Sequence, residues 1–138
     1  MVSDPEPLPD NAQHVHTTEI AVRWGDMDAG GHVNNSRFFT YFEEARVDWL
    51  GATLGGPLFT ASGPVLAEAS CEFKQPLVHP ATLTIDVYAS PPGQSSLQNV
   101  YDAVLTESGE RMAVGTAVLV WVDMETGEPV PVPDLNLR

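Results

Sequence analysis

The residues best suited to chemistry lie close together in one segment, residues 23–46. Its first part is a glycine-rich loop that precedes a stretch with helical periodicity. The polar residues of this loop are Asp26, Asp28, His32, Asn34 and Asn35. An exposed helix start offers unpaired backbone N–H groups and a partial positive charge, which favour an anion or an oxygen that becomes anionic during a reaction. The segment therefore predicts a site at which a carboxylate faces a helix N-terminus.

A metal site or another known catalytic motif fits this segment less well than a carboxylate that faces a helix N-terminus. Asp26-x-Asp28 opens like a calcium loop, but the position where such a loop ends in glutamate is Arg37. Asp26, Asp28 and His32 could share a metal, yet no fourth ligand is evident, so we expect no metal and no other cofactor. The sequence has no Walker-type phosphate loop, no dinucleotide-binding glycine motif and no nucleophile-elbow serine. Cys71 lies in an alternating apolar pattern, which predicts a core position.

A carboxylate opposite a helix start suits the hydrolysis of an activated ester. The carboxylate acts as base or nucleophile, and the N–H groups stabilise the oxyanion. A thioester is reactive enough for one carboxylate and one or two backbone donors to suffice. Asn34 or Asn35 is also a natural N-cap for the helix, and capping alone is the simplest interpretation of both.

The elements that must position this loop are one helix and a set of strands. Alternation from Ile20 to Trp24 predicts a first strand, and apolar residues at helical spacing from Ser36 predict one amphipathic helix. Four further strand patterns follow at residues 65–73, 83–89, 97–105 and 112–122. We expect hairpin-like turns between them, including a tight one centred on Ser108-Gly109. One helix on one face of a mostly antiparallel sheet is an α+β fold.

Two local patterns add to this picture. The stretch from Val118 to Val122 is apolar on both faces, which predicts burial on both sides, in the sheet centre or against a partner. On the helix, Glu43 and Arg46 are spaced to pair at i, i+3.

Composition narrows the functional classes. With 138 residues, of which 43% are hydrophobic, the chain is long enough for one cored domain, which we assign to residues 15–138, after a flexible polar arm at 1–14. The net charge of −13 excludes an electrostatic nucleic-acid binder and opposes binding to an anionic membrane. No apolar run is long enough to insert into a membrane, and the acidic start is unlike a secretory signal. With one cysteine and no metal-binding cysteine cluster, we expect a cytoplasmic protein.

The loop and helix together resemble a known family. The motif Arg-Trp-Gly-Asp-Met-Asp-x-x-Gly-His-Val-Asn-Asn at 23–35, followed by Glu-Glu-Ala-Arg at 43–46, resembles the 4-hydroxybenzoyl-CoA thioesterase-like branch of the hotdog superfamily. This branch includes bacterial acyl-CoA thioesterases, and the predicted strand order over residues 16–123 agrees with it. The resemblance implies an antiparallel sheet wrapped around one long central helix. It also implies homodimers, often homotetramers, with active sites at the dimer interface.

The resemblance assigns roles to individual residues. The family's catalytic carboxylate falls on Asp28, and the backbone N–H that polarises the thioester carbonyl falls on or beside Asn35. Substrate contacts are expected from His32, Asn34 and Arg37. Asp26 is expected to fix the loop through backbone hydrogen bonds rather than to react. Further candidates for contacts to the CoA phosphates are Lys74 and Arg111.

The predicted function is hydrolysis of an acyl-CoA to free acid and CoA, with Asp28 as general base or nucleophile. Two alternatives stay open: a hotdog-fold enoyl-CoA hydratase or dehydratase, and a non-catalytic protein that binds acyl-thioesters. The motif does not distinguish CoA from acyl carrier protein as the donor, nor does it fix the acyl chain. Residues 77–81 also depart from a Tyr-Gly-Asp-like turn that is common in the family.

Overall fold

One long helix packs against a five-stranded sheet. A computed structural model describes residues 4–6 and 8–137. The elements are β1 (Gln13–Ala21), a 3₁₀ turn (Trp24–Asp26), α1 (Asn35–Leu54), β2 (Ser62–Phe73), β3 (Thr82–Ala89), β4 (Ser96–Leu105) and β5 (Arg111–Asp123). All neighbouring strands are antiparallel, in the order β1-β3-β4-β5-β2. The predicted α+β architecture is confirmed. No helix in the described part of the chain is long and apolar enough to cross a membrane.

Helix α1 forms the centre of the core because its apolar residues recur on one face. Phe38, Phe42, Ala45 and Trp49 follow at helical spacing and are all buried. The helix ends at Gly55, which has a left-handed φ of 69° and donates its N–H to the Gly51 carbonyl at 3.0 Å. The buried face of α1 points to the sheet, and the first residues of the helix lie at one end of this face.

The first strand lies earlier in the chain than its apolar alternation predicts. β1 ends at Ala21, and Trp24 belongs to the 3₁₀ turn, where Asp26 donates its backbone N–H to the Arg23 carbonyl at 3.0 Å. β1 begins at Gln13, inside the range 1–14 expected for a flexible arm. Residues 1–3 and 7 of that arm lie outside the described residues, so the division into arm and domain stays a prediction.

One expected hairpin connection is wrong, and another is a hairpin with a wider turn than predicted. β2 lies at one edge of the sheet and β3 next to β1, so residues 74–81 carry the chain across the sheet instead of forming a hairpin. Between β4 and β5, the Leu105 N–H donates to the Glu110 carbonyl at 2.9 Å, which leaves residues 106–109 in a wider turn than a tight Ser108-Gly109 centre. Turn residues identify where a chain reverses, but they do not specify which strands then pair.

β5 lies inside the sheet, between β4 and β2. Burial on both faces is found only near its start, where residues 112–115 are all buried. Beyond them the strand alternates: Ala117, Leu119 and Trp121 face the core, and the intervening valines are half-buried.

Candidate active site

Asp26 anchors the loop from inside the protein. It is 2% exposed, and its carboxylate accepts hydrogen bonds from the Arg23 backbone N–H at 3.0 Å and the Tyr41 hydroxyl at 2.7 Å. Burial raises the pKa of Asp26, but these hydrogen bonds and the charge of Arg23 outweigh it, so the pKa lies below the ordinary 3.8. Burial, and then the bond to Asp26, raise the pKa of Tyr41. Asp26 is therefore held as a carboxylate and fixes the loop, in agreement with the prediction for it.

Asp28 has opposite surroundings although only one residue separates it from Asp26. It is exposed, and its two carboxylate oxygens accept one hydrogen bond each, from the Gly30 backbone N–H at 2.8 Å and the Asn34 side-chain amide at 3.1 Å. A side chain at position 30 would start 3.1 Å from the Asp28 oxygen, so glycine leaves the carboxylate its room. Asp28 is thus fixed in direction while remaining accessible to a substrate.

The helix start lies directly beside this carboxylate. Asn34 is the N-cap, because its side-chain oxygen accepts hydrogen bonds from the Ser36 backbone N–H at 2.9 Å and the Ser36 hydroxyl at 2.8 Å. This decides between the two asparagines that the sequence offered as caps. Asn35 is the first helical residue, it is exposed, and its backbone N–H has no hydrogen-bond partner among the described residues. The Asn34 side chain therefore connects the Asp28 carboxylate to Ser36 in the first turn of the helix, next to the unpaired backbone N–H of Asn35.

A cavity of about 260 Å³ opens at this helix start. It is lined by His32, Asn35 and Phe38 on the loop and helix side, and by Phe73, Lys74 and Leu77 on the opposite side. The Val33 backbone N–H donates to the Leu77 carbonyl at 2.8 Å, which ties the loop to the segment between β2 and β3. Residues 74–77, the first part of the segment whose path the sequence did not predict, thus form one wall of the site.

The candidate cations divide into two groups. Arg37 lies at the helix start and Lys74 beside the cavity, and both side chains are at least one-third exposed. Lys74 forms an ion pair with Glu72 at 2.5 Å, and Arg37 lies 3.9 Å from the Asp26 carboxylate. Arg111 instead donates two hydrogen bonds to the Asp102 carboxylate, at 2.8 and 3.0 Å. Arg111 as a contact to CoA phosphates stays a prediction, and the bonds to Asp102 on the neighbouring strand disfavour it, because they already occupy two of its donors.

A larger groove of about 790 Å³ lies beyond Leu77 and contains neither Asp28 nor Asn35. Its charged lining residues are Glu107 and Glu110, so it offers no charge complementarity to an anionic substrate. The cavity of about 260 Å³, by contrast, is lined by His32 and Asn35 at the helix start. Within residues 4–6 and 8–137, no three His, Cys, Asp or Glu side chains are placed to hold one metal ion.

The family follows from a comparison with known proteins. A model of the thioesterase-like superfamily matches residues 22–136, which include the whole loop, the helix and strands β2 to β5. The chain belongs to this superfamily. The predictions of a hotdog thioesterase and of a thioester hydrolase are thereby confirmed at the level of the family.

Individual relatives agree with this assignment. Over 112 residues the chain is 31% identical to the uncharacterized protein YsmA of Bacillus subtilis strain 168, covering 81% of this chain and 76% of YsmA. The structure of the PA2801 protein of Pseudomonas aeruginosa is similar with a TM-score of 0.83 and 44% identity, over 88% of this chain and 95% of that one. The 1,4-dihydroxy-2-naphthoyl-CoA thioesterase of Synechocystis has the same fold, with a TM-score of 0.78 at 21% identity, over 85% and 88% of the two chains.

The structure brings together most residues that the sequence singled out in this thioesterase-like site. Asp28, His32, Asn34 and Asn35 all lie at the helix start or beside its cavity. Sequence reasoning missed Tyr41, which holds Asp26. A signal was available, because a tyrosine on the buried face of an amphipathic helix needs a partner for its hydroxyl group.

Proposed function

We propose that this protein hydrolyses acyl-CoA thioesters at the start of α1, with Asp28 as the catalytic carboxylate and the Asn35 backbone N–H as the oxyanion donor. The observation that carries the proposal is the arrangement of three neighbours. Asn34 donates to Asp28 and caps the helix, and the next residue presents an unpaired backbone N–H. The helix dipole adds a partial positive charge at the same place.

The reaction follows from this arrangement. The thioester carbonyl oxygen accepts the Asn35 N–H, which stabilises the negative charge that develops on this oxygen when the carbonyl carbon is attacked. As a base, Asp28 takes a proton from the attacking water; as a nucleophile, it attacks the carbonyl carbon itself, and water then cleaves the resulting anhydride. In either case the C–S bond breaks and CoA leaves as a thiolate that takes up a proton. Labelled water in a single turnover distinguishes the two, because only the second route can leave the label in the carboxylate of Asp28.

The distribution of positive charge supports CoA as the thiol carrier. In a chain of net charge −13, the exposed Arg23 and Arg37 flank the loop, and Lys74 lines the cavity. These cations suit the phosphates of CoA. His32 lines the cavity on the side of the reacting carbonyl, and Arg37 is the contact we assign to a phosphate. An acidic acyl carrier protein would meet a largely acidic surface, which disfavours it as the donor.

We also propose that the protein acts as a homodimer or homotetramer in the cytoplasm. β2 pairs only with β5 among the described strands, so its outer edge is unpaired. Val65 and Leu66 on this strand and Phe39 and Val47 on the adjoining face of α1 are exposed apolar residues, as expected of a surface that a second copy covers. The cytoplasmic location rests on Cys71, which has no second cysteine with which to form an internal disulfide.

Replacement of the carboxylate tests the catalytic assignment. Asp28→Ala should lower kcat for octanoyl-CoA by at least about 100-fold, the lower range for loss of a general base. The measurement is thiol release, with circular dichroism to verify folding and Asp10→Ala, an exposed acid outside the site, as the matched control. Unchanged turnover in a folded Asp28→Ala variant would overturn the role of Asp28. Crotonyl-CoA distinguishes the three candidate functions. A thioesterase releases thiol from it, a hydratase adds water to it without releasing thiol, and a binding protein does neither.

A further inference from the structure

Arg46, in the middle of α1, is buried without a counter-charge. It is 9% exposed, and its one hydrogen bond to another side chain runs from its guanidinium to the Tyr101 hydroxyl at 3.1 Å. The pairing with Glu43 that the sequence suggested is not among the ion pairs of the described residues, and no other carboxylate there lies within ion-pair distance of Arg46. Buried arginines are normally paired, because an uncompensated charge is costly inside a protein. The described residues of one chain therefore leave Arg46 without the anion that it requires.

Tyr101 does not supply this anion. It donates its hydroxyl proton to the Asn99 side chain at 3.0 Å and therefore accepts from Arg46 as a neutral group. Burial raises the pKa of the Tyr101 hydroxyl above the ordinary 10, so the group stays protonated. No fully enclosed side-chain nitrogen in the described residues lacks a hydrogen-bond partner, so the remaining N–H groups of Arg46 are open to the two cavities, of about 180 and 240 Å³, that it lines.

An acid without a partner lies on the adjoining surface of α1. Phe39, Glu43 and Val47 recur four residues apart, so they form one stripe along the helix, and all three are exposed. Val65 and Leu66 on β2 are exposed as well and line a cavity together with Glu43 and Val47. Glu43 takes part in no ion pair among the described residues. It is therefore an isolated carboxylate within a mainly apolar patch, which these five residues form.

This patch is the surface proposed above to contact a second copy, and a two-fold interface there accounts for both charges. In such an interface both copies contribute the same patch, so a contact from one residue to another occurs twice. The anion for Arg46 must then come from the surroundings of Arg46 itself. Of the described residues that line the two Arg46 cavities, Glu43 alone carries a carboxylate.

We propose that Glu43 of each copy forms an ion pair with Arg46 of the other copy, so that each charge gains the partner that it lacks in one chain. The inference rests on the proposed function, because it takes the dimer to form on this patch. A contact between positions 43 and 46 places the two-fold axis between these residues, so the two α1 helices run antiparallel there. Phe39 and Val47, one turn to either side of Glu43, shield the paired charges from water, which strengthens their attraction.

The first test reverses the charge at position 43. Glu43→Lys should raise the dimer Kd at least about 100-fold, because it places two cations opposite each other twice per interface. Glu44→Lys is the matched control, since Glu44 is the next exposed acid on α1 and lines neither Arg46 cavity. Both variants make the acidic chain less negative by the same amount, so an effect of overall charge alone would strengthen association in both. Sedimentation velocity over a concentration series measures the Kd.

The second test separates a pair between copies from a pair within one helix. Arg46→Glu should also dissociate the dimer, and an equimolar mixture of Arg46→Glu and Glu43→Lys should dimerise again, because opposite charges then meet at both contacts. A pair within one helix would be restored only by both substitutions in the same chain. Circular dichroism verifies folding, and if Arg46→Glu does not fold, the comparison of Glu43→Lys with Glu44→Lys decides.

Three results would overturn the proposal. The first is a wild-type protein that is monomeric at micromolar concentration, which would remove the dimer from the proposed function too. The second is a Glu43→Lys variant that dimerises as tightly as Glu44→Lys. The third is a mixture of the two folded charge-reversal variants that stays monomeric. None of these measurements needs turnover, so a protein that associates as expected without hydrolysing a thioester would contradict the proposed reaction alone.

Discussion

Asp26 and Asp28 lie in one short motif but have different surroundings, which suit them to the different roles proposed for them. Asp26 is buried, accepts three hydrogen bonds from Arg23 and Tyr41, and has a lowered pKa. Asp28 is exposed and accepts only two bonds, which hold it without enclosing it. A reactive carboxylate must keep a free face for water or substrate, and only Asp28 has one. The different roles proposed for the two carboxylates thus follow from their burial and their hydrogen-bond partners.

Asn34 both caps the helix and donates to Asp28, so under the proposed function it contributes to folding and to activity, and these two contributions can be separated. Asn34→Ser keeps an oxygen that can cap the helix but removes the amide that donates to Asp28, without placing a second negative charge beside it. We expect its free energy of unfolding to stay within about 0.5 kcal/mol of wild type, because serine and asparagine cap equally well. Its kcat should fall about 10-fold or more, since a hydrogen bond to a charged group contributes about 1.5–3 kcal/mol.

Asn34→Ala is the comparison for this prediction, because it removes both contacts. It should lose activity and also about 1 kcal/mol of stability, the usual cost of removing a cap. Urea unfolding and thiol release on the same three proteins provide the measurement. Equal losses of stability in the serine and alanine variants would contradict the separation of the two functions.

At the scale of the elements, periodicity predicted the helix and the positions of four strands, because both follow from which residues must face the core. The path of residues 74–81 could not be predicted from periodicity. Their conformation depends on β2 pairing with β5, a contact between residues far apart in sequence. The wall of the cavity therefore could not be predicted, whereas Asp28 and the helix start could, since both lie within one contiguous motif.

Packing of α1 on the sheet depends on one glycine. A Cβ atom at Gly115 would lie 2.3 Å from the Phe42 ring, which stacks on Tyr101 with centroids 5.1 Å apart. Gly115→Ala should therefore lower the free energy of unfolding by about 1–3 kcal/mol, as overpacking of a core does. Gly51→Ala is the matched control, because nothing lies within 4 Å of the added carbon and the residue is helical.

The control variant should change stability in the opposite direction. Alanine favours a helix over glycine by up to about 1 kcal/mol, so Gly51→Ala should be stabilised or unchanged. Chemical denaturation measures the change in the free energy of unfolding for the two variants. If both shift stability equally, the close approach of helix and sheet at Gly115 does not limit the packing.

At the scale of the whole molecule, two cavities beside α1 are lined by β2, the strand whose outer edge is unpaired among the described strands. The exposed apolar residues Val65 and Leu66 on β2 and Val47 on α1 line these cavities too. A second copy seated on β2 would extend the sheet and cover these residues.

This surface gives the last prediction. Leu66 on β2 is 51% exposed, and a lysine there places a charge on an unpaired sheet edge, which opposes strand pairing between copies. Leu66→Lys should therefore lower the molar mass measured by light scattering at micromolar concentration from that of a dimer towards that of a monomer. Met124→Lys is the matched control, because Met124 is also apolar and 47% exposed but lies after β5. A wild-type protein that is monomeric, or a Leu66→Lys variant that dimerises as well as the control, would exclude β2 as the interface.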